Sequence, residues 1–160
     1  MSFNIRLAEE KDLAALHSLW MEIMKHHAGQ GPMFDYDVQY DAELKQSLAD
    51  RIKAKEQRCY VAVEKDTVIG CIFCRINTIP PFIAIKKTGY IAETVVSTKA
   101  RSKGIGTQLV QTVQAWFDEN NCEATELQVA VQNEAGVRFW ERLGFKPSTY
   151  HMHRLNNSPS

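Results

Sequence analysis

The residues best suited to chemistry lie between positions 90 and 110, in YIAETVVSTKARSKGIGTQLV. No carboxylate stands between Glu93 and Asp118, while Lys99, Arg101 and Lys103 add three positive charges. Gly104 and Gly106 then open a helical pattern. Glycines at a helix N-terminus let backbone N–H groups approach an anion closely, and the helix dipole adds to the attraction. The chemistry implied is the grip of a phosphate-bearing ligand. A plain turn beside a solvated basic patch is the competing reading, and a lone GxG favours it. Two better-known phosphate loops do not fit. The GxxxxGK[ST] pattern is absent. The GxGxxG turn fails at its third glycine, which is Leu109, and seven residues separate Val96 from Gly104 where that turn should follow its strand tightly.

Other reactive side chains carry weaker signals. Cys71 and Cys74 form a CxxC inside VIGCIFCRI, a strand, where residues three apart face opposite ways and cannot share a metal. No further ligands complete a zinc site, so no metal is expected. His26 and His27 end a helix, where a cation suits the dipole. His151 and His153 share one face of a strand-like tail without further ligands. Asp35, Asp37, Asp41 and Glu43 form an acidic cluster that would attract a cationic amine or simply be solvated.

The elements that must position these groups can be read from periodicity. Phe3–Leu7 alternates as a short strand. Leu13, Leu16, Leu19, Trp20, Ile23 and Met24 predict a helix over 11–26, and Leu44, Leu48 and Ile52 another over 41–55. Segments 58–64 and 67–77 read as strands joined by the turn Lys65-Asp66, a hairpin. Pro80-Pro81 marks 78–89 as loop, and 90–96 is a β-branched strand. Ile105, Leu109, Val113 and Trp116/Phe117 form the strongest helical stripe. A strand is expected over 124–131. Asn133 should cap a helix over 134–143, with Gly144 in the left-handed position after it. TYHMHRL, residues 149–155, alternates as a last strand. The expected fold is a mixed α/β sheet with helices on both faces.

Composition narrows the class. At 160 residues the chain suits one domain, and a chain of this size buries roughly 70% of its unfolded surface. We read 1–156 as that domain and 157–160 as a disordered tail. Nineteen basic and nineteen acidic residues cancel, which argues against a dedicated nucleic-acid binder. No apolar run suits a membrane span, and the charged start is not a secretory signal. Four cysteines are too few for a disulfide scaffold. A reducing cytoplasm is the expected location.

Arg101-Ser102-Lys103-Gly104-Ile105-Gly106 resembles the R/Q-x-x-G-x-G/A signature of the GNAT superfamily of acyl-CoA-dependent N-acetyltransferases. The likeness extends to IRLAEEKDL at the start, to Glu93-Thr94-Val95-Val96 as the fourth strand, and to NEAGVRFWERLGF, residues 133–145. The resemblance implies the family's mostly antiparallel mixed sheet, with fourth and fifth strands splayed apart, and acetyl-CoA as cosubstrate. Arg101, Ser102, Lys103, Gly104, Ile105, Gly106 and Thr107 would bind the coenzyme diphosphate. Thr94, Val95 and Val96 would pair with the pantetheine arm, and the Thr94 N–H would polarise the thioester carbonyl. Asn133 would touch the arm, cap its helix, or both.

The implied reaction is attack of a primary amine of a small molecule or peptide on the thioester. An ammonium has no lone pair, so a base is needed, directly or through water. Glu93 is the candidate base, with a salt-bridged strand residue as the alternative. Alternation puts Glu93 and Thr94 on opposite faces unless a β-bulge intervenes. Where the family carries a tyrosine acid, this chain has Trp140, whose indole N–H is no useful acid. Tyr150, Tyr90 or water would substitute. Two rival readings follow: a non-catalytic coenzyme-binding module, and transfer of a different acyl group or to a hydroxyl. Homodimers are common among such domains, and no sequence feature fixes one here.

Overall fold

The computed structural model describes residues 2–101 and 103–157. By internal contact the chain divides into two units, residues 1–128 and 129–160.

The first unit runs β1 (Asn4–Leu7), α1 (Leu13–His27), α2 (Asp41–Lys53), β2 (Gln57–Glu64), β3 (Thr67–Thr78), β4 (Lys87–Val96), α3 (Ile105–Glu119) and β5 (Ala124–Leu127). The strands form one sheet in the order β1-β2-β3-β4-β5. The first three pairings are antiparallel and β4–β5 is parallel. A parallel neighbour needs a crossover, and α3 provides it. Lys65 and Asp66, at φ 48° and 64°, make the β2–β3 turn left-handed at both central residues, matching the sheet twist.

Each face of the sheet is covered. Leu16, Leu19 and Leu48 of the first two helices pack on Cys59, Val61, Cys71, Phe73 and Val95. On the other face α3 presses close. A Cβ at Gly70 would stand 3.3 Å from Ile105, and one at Gly89 would stand 2.3 Å from Phe117. The helix starts are tied as well: Asp12, 4% exposed, takes two bonds from Arg6 at 2.7 and 3.0 Å and one from the Glu9 N–H at 2.7 Å.

Three sequence expectations need correction. The fourth strand begins at Lys87, not Tyr90, because Thr88 and Gly89 pair with Ala124 and Thr125 of β5. Gly89 there is no loop marker but the space Phe117 requires. The fifth strand stops at Leu127, short of Val131. No strand forms over 149–155, where every residue is exposed and irregular. Alternation makes a strand only when a neighbour completes the hydrogen-bond ladder, and among the described residues no strand pairs with this segment.

In the second unit α4 (Glu134–Arg142) starts at Asn133, whose Oδ1 accepts from the Gly136 N–H at 3.0 Å. Gly144, at φ 94°, ends it as expected. Trp140 lies edge-on to Phe139 and Phe145, with centroids 4.9 and 5.5 Å away. No helix among the described residues is long and apolar enough to cross a membrane.

Candidate active site

The loop after β4 is built to present backbone. Ser97 Oγ accepts from the Lys99 N–H in a single turn over Thr98–Ala100, and buried Ala100 pins it to the core. Gly104 then stands at φ 75°, the left-handed region, as the residue before α3. An added Cβ there meets nothing within 4 Å, so the constraint is conformational and the space in front is open. Ile105 is buried and fixes the helix start. The first N–H groups of α3, at Ile105, Gly106 and Thr107, have no acceptor within the helix. Arg101 is exposed and its Nε donates to Val96 O at 3.4 Å. Lys103 is drawn toward Glu64, 3.5 Å away. Ser102 lies outside the described residues.

The adjacent edge of β4 is open toward β5. That ladder ends at the pair Ile91–Leu127, while β4 continues to Val96. The Ser97 N–H donates to Ile69 O at 2.8 Å, across to β3. Antiparallel ladders alternate, so Val95 also faces β3, while the N–H and C=O groups of Thr94 and Val96 point to the other edge. The Thr94 amide thus lies where an extended ligand could pair with it. Its side-chain Oγ1 is buried without a hydrogen-bond partner among the described residues.

Glu93 sits on the opposite face from Thr94, above the core of the first two helices. A bulge in the β3–β4 pairing, between Ile72–Thr94 and Cys74–Ile91, accommodates it. Arg51 of α2 grips both carboxylate oxygens, at 2.6 and 2.8 Å, and the Trp20 indole N–H of α1 adds a bond of 3.0 Å. The guanidinium lies over the Phe73 ring, 4.2 Å from its centroid. Burial pushes the Glu93 carboxyl up, but the Arg51 bonds and charge with the Trp20 N–H outweigh it, leaving the carboxyl below its ordinary value. The salt-bridged alternative therefore describes the Glu93 side chain. Arg51 and Trp20 escaped the sequence reading. The signal was present: Arg51 is seven residues after Leu44 and three after Leu48, on the apolar stripe, and a charge there calls for a buried partner.

The acidic cluster around the start of α2, with Asp41 and Glu43 in its first turn, is divided among local tasks. Asp37 accepts from the Gln39 N–H at 3.2 Å. Asp41 receives the Tyr36 hydroxyl, His17 Nε2 at 2.7 Å and Lys45 Nζ at 3.3 Å, which together hold its carboxyl far below the usual range. Tyr36 in turn is pushed up to about 12 by that carboxylate, and its ring meets Trp20 edge-on, centroids 5.6 Å apart. Asp35 borders a cavity of about 420 Å³ lined also by Met21, Met24, Lys25, Phe34 and Tyr36. His26 is exposed, while His27 is half-buried with its pKa lowered by burial and by the neighbouring His26.

The remaining candidates separate. Cys71 joins the core facing α1 and α2, whereas the Cys74 thiol, which burial pushes up to about 12, donates to Arg58 O. Among the described residues no three His, Cys, Asp or Glu side chains converge as a metal site. His151, His153 and Tyr150 are exposed on the irregular tail of the second unit. Trp140 fills the aromatic cluster of that unit, and Asn133 caps α4.

Comparison with known proteins supplies the frame. A model of the Acetyltransferase (GNAT) family matches residues 13–145. N-alpha-acetyltransferase 30 of Xenopus laevis is 27% identical over 161 aligned positions, covering 86% of this chain. The chain spans only 58% of that relative's length. An engineered tetramutant of a Bacillus halodurans protein shares the fold at TM-score 0.86 and 20% identity, covering 95% of this chain and 99% of that one. So does a predicted acetyltransferase from Clostridium acetobutylicum solved with acetyl-CoA, at TM-score 0.79 and 18% identity, covering 96% of each chain. A sheet whose parallel last pair ends short of a glycine-led helix, in a chain matched from Leu13 to Phe145, establishes that this protein belongs to the acetyltransferase (GNAT) family.

Proposed function

We propose that the protein transfers acetyl from acetyl-CoA to an amine, and that the amine is the α-amino group of a peptide or protein N-terminus. The residues present suit the coenzyme. Gly104 in the left-handed region opens room before the helix, and the N–H groups of Ile105, Gly106 and Thr107, with Arg101, Ser102 and Lys103 alongside, would hold the diphosphate. The free edge of β4, to which the Thr94 and Val96 backbone groups point while Val95 between them pairs with β3, would take the extended arm, and the Thr94 N–H would donate to the carbonyl oxygen. When bound, acetyl-CoA supplies an acetyl thioester.

The reaction needs a neutral amine. Its nitrogen forms the new C–N bond, the C–S bond breaks, and the amine gives up one proton as the thiolate departs. A thiol of pKa roughly 8.5 leaves tolerably without a dedicated acid, so Trp140 at the usual tyrosine position does not stop the step. Tyr150, exposed on the tail, is the tyrosine candidate for protonating the thiolate, with water as the alternative. Glu93 is the candidate that receives the amine's proton, directly or through water.

The Arg51 grip on Glu93 selects the acceptor, and it is the observation that carries this reading. A carboxylate held below its ordinary pKa is a weak base. Such a base favours an acceptor that arrives substantially neutral. Near pH 7.5 roughly a quarter of an α-amine, with pKa about 7.9, is neutral, against about one in a thousand of a lysine ε-amine. The name of the Xenopus relative, an N-alpha-acetyltransferase, points the same way.

The test compares two peptides of one sequence with acetyl-CoA, reading free thiol. One has a free N-terminus and acetylated lysines, the other an acetylated N-terminus and free lysines. At least a tenfold higher kcat/KM for the first is expected. Equal rates, or a preference for the lysine peptide, would overturn the α-amine assignment. Tight coenzyme binding without thiol release across both peptides and a panel of small amines would instead identify a non-catalytic coenzyme-binding module.

A further inference from the structure

Glu64 is the last residue of β2, and the sheet fixes where its side chain can reach. It pairs with Thr67 across the hairpin, and the left-handed turn at Lys65 and Asp66 allows little slack. Its side chain is 19% exposed. One oxygen, Oε1, is buried without a hydrogen-bond partner among the described residues. The other, Oε2, lies 3.5 Å from Nζ of Lys103, the residue immediately before Gly104. A buried carboxylate oxygen left unpaired is unfavourable and calls for an explanation. The ion pair is also longer than the 2.7–2.9 Å usual for a charge-assisted bond, so it holds Lys103 loosely.

These facts place a negative charge beside a loop that otherwise gathers positive charge and open N–H groups. Lys99 and Arg101 are exposed, leaving Lys103 as the loop cation with a carboxylate partner among the described residues. We propose that Glu64 competes with the coenzyme diphosphate for Lys103, and so sets how tightly coenzyme A is held and how fast it leaves. The inference rests on reading the loop as a coenzyme A site. Glu64 acts through Lys103, as a positioning residue rather than a group that touches substrate. An enzyme that must release coenzyme A after each transfer gains from a built-in counter-charge that takes the lysine back. Replacing the carboxylate with its neutral isostere removes one negative charge within roughly a Debye length of the ligand. It also frees the lysine, a combined effect of roughly three- to tenfold in affinity.

The experiment titrates free coenzyme A into wild-type protein, Glu64→Gln, Lys103→Gln and the double variant by calorimetry. Dissociation rates come from stopped flow, and melting curves confirm the fold. Glu64→Gln is expected to bind three- to tenfold more tightly, with slower release and a steeper fall of affinity with salt. Lys103→Gln should bind more weakly, and Glu64→Gln added to it should gain less than it does alone. A folded Glu64→Gln protein that binds no more tightly than wild type overturns the proposal while leaving the loop reading intact. Should that variant not fold, an unchanged affinity in Lys103→Gln overturns it equally. Wild-type protein that does not bind coenzyme A at all would overturn both.

Discussion

Replacing Arg51 with Met removes the guanidinium while keeping most of the side chain's length and its contact with Phe73. Glu93 then retains the Trp20 N–H and loses two bonds of 2.6 and 2.8 Å. With charge centres about 4 Å apart and an effective dielectric near 20, the attraction is about 4 kcal/mol. The side chains keep 21% and 25% of their exposure, so water recovers part of it and about 2–3 kcal/mol remains. Burial then dominates, and the Glu93 carboxyl moves from below its ordinary value to above it. In the wild type the folded carboxyl titrates below its unfolded value near 4.3. Its contribution is present above that pH and is lost as pH falls through the folded value. In Arg51→Met the sign reverses: the contribution is present below the unfolded value near 4.3 and lost as pH rises through the raised folded value. Urea denaturation of both proteins should show a gap of about 2–3 kcal/mol at pH 7.5 that narrows markedly by pH 4. A gap of the same size at both pH values would refute the reasoning, because it would mean the variant acts through packing alone.

The other variants probe single contacts. Gly104→Ala forces a Cβ into the left-handed region at φ 75°. It should destabilise the protein by about 1 kcal/mol and weaken coenzyme A binding at least tenfold by calorimetry; wild-type affinity would remove Gly104 from the loop's function. Gly89→Ala drives a Cβ to within 2.3 Å of Phe117. Overpacking of that kind should lower stability by about 2–3 kcal/mol in thermal or chemical unfolding, and a neutral result would show that Phe117 moves freely.

Much of the architecture was legible because it rests on local pattern. The stripe Ile105, Leu109, Val113, Trp116, Phe117 required one buried helix face whatever lay opposite. Lys65-Asp66, Asn133 and Gly144 declared a turn, a cap and a terminus through backbone chemistry that needs few neighbours. Gly104 at the start of α3 was legible for the same reason, since its left-handed φ is a backbone requirement. Other features depended on partners distant in sequence. Gly89 became part of a strand because β5 pairs with it and Phe117 covers it, contacts made 28 or more residues away. Residues 149–155 had the alternation of a strand and no ladder to join. Glu93 could be picked out by sequence as the strand's carboxylate, but its acid strength could not. Arg51, 42 residues earlier, and Trp20, 73 residues earlier, fix that strength. Periodicity records which face of an element is apolar; which charge meets which across the sheet is decided only when the whole chain packs.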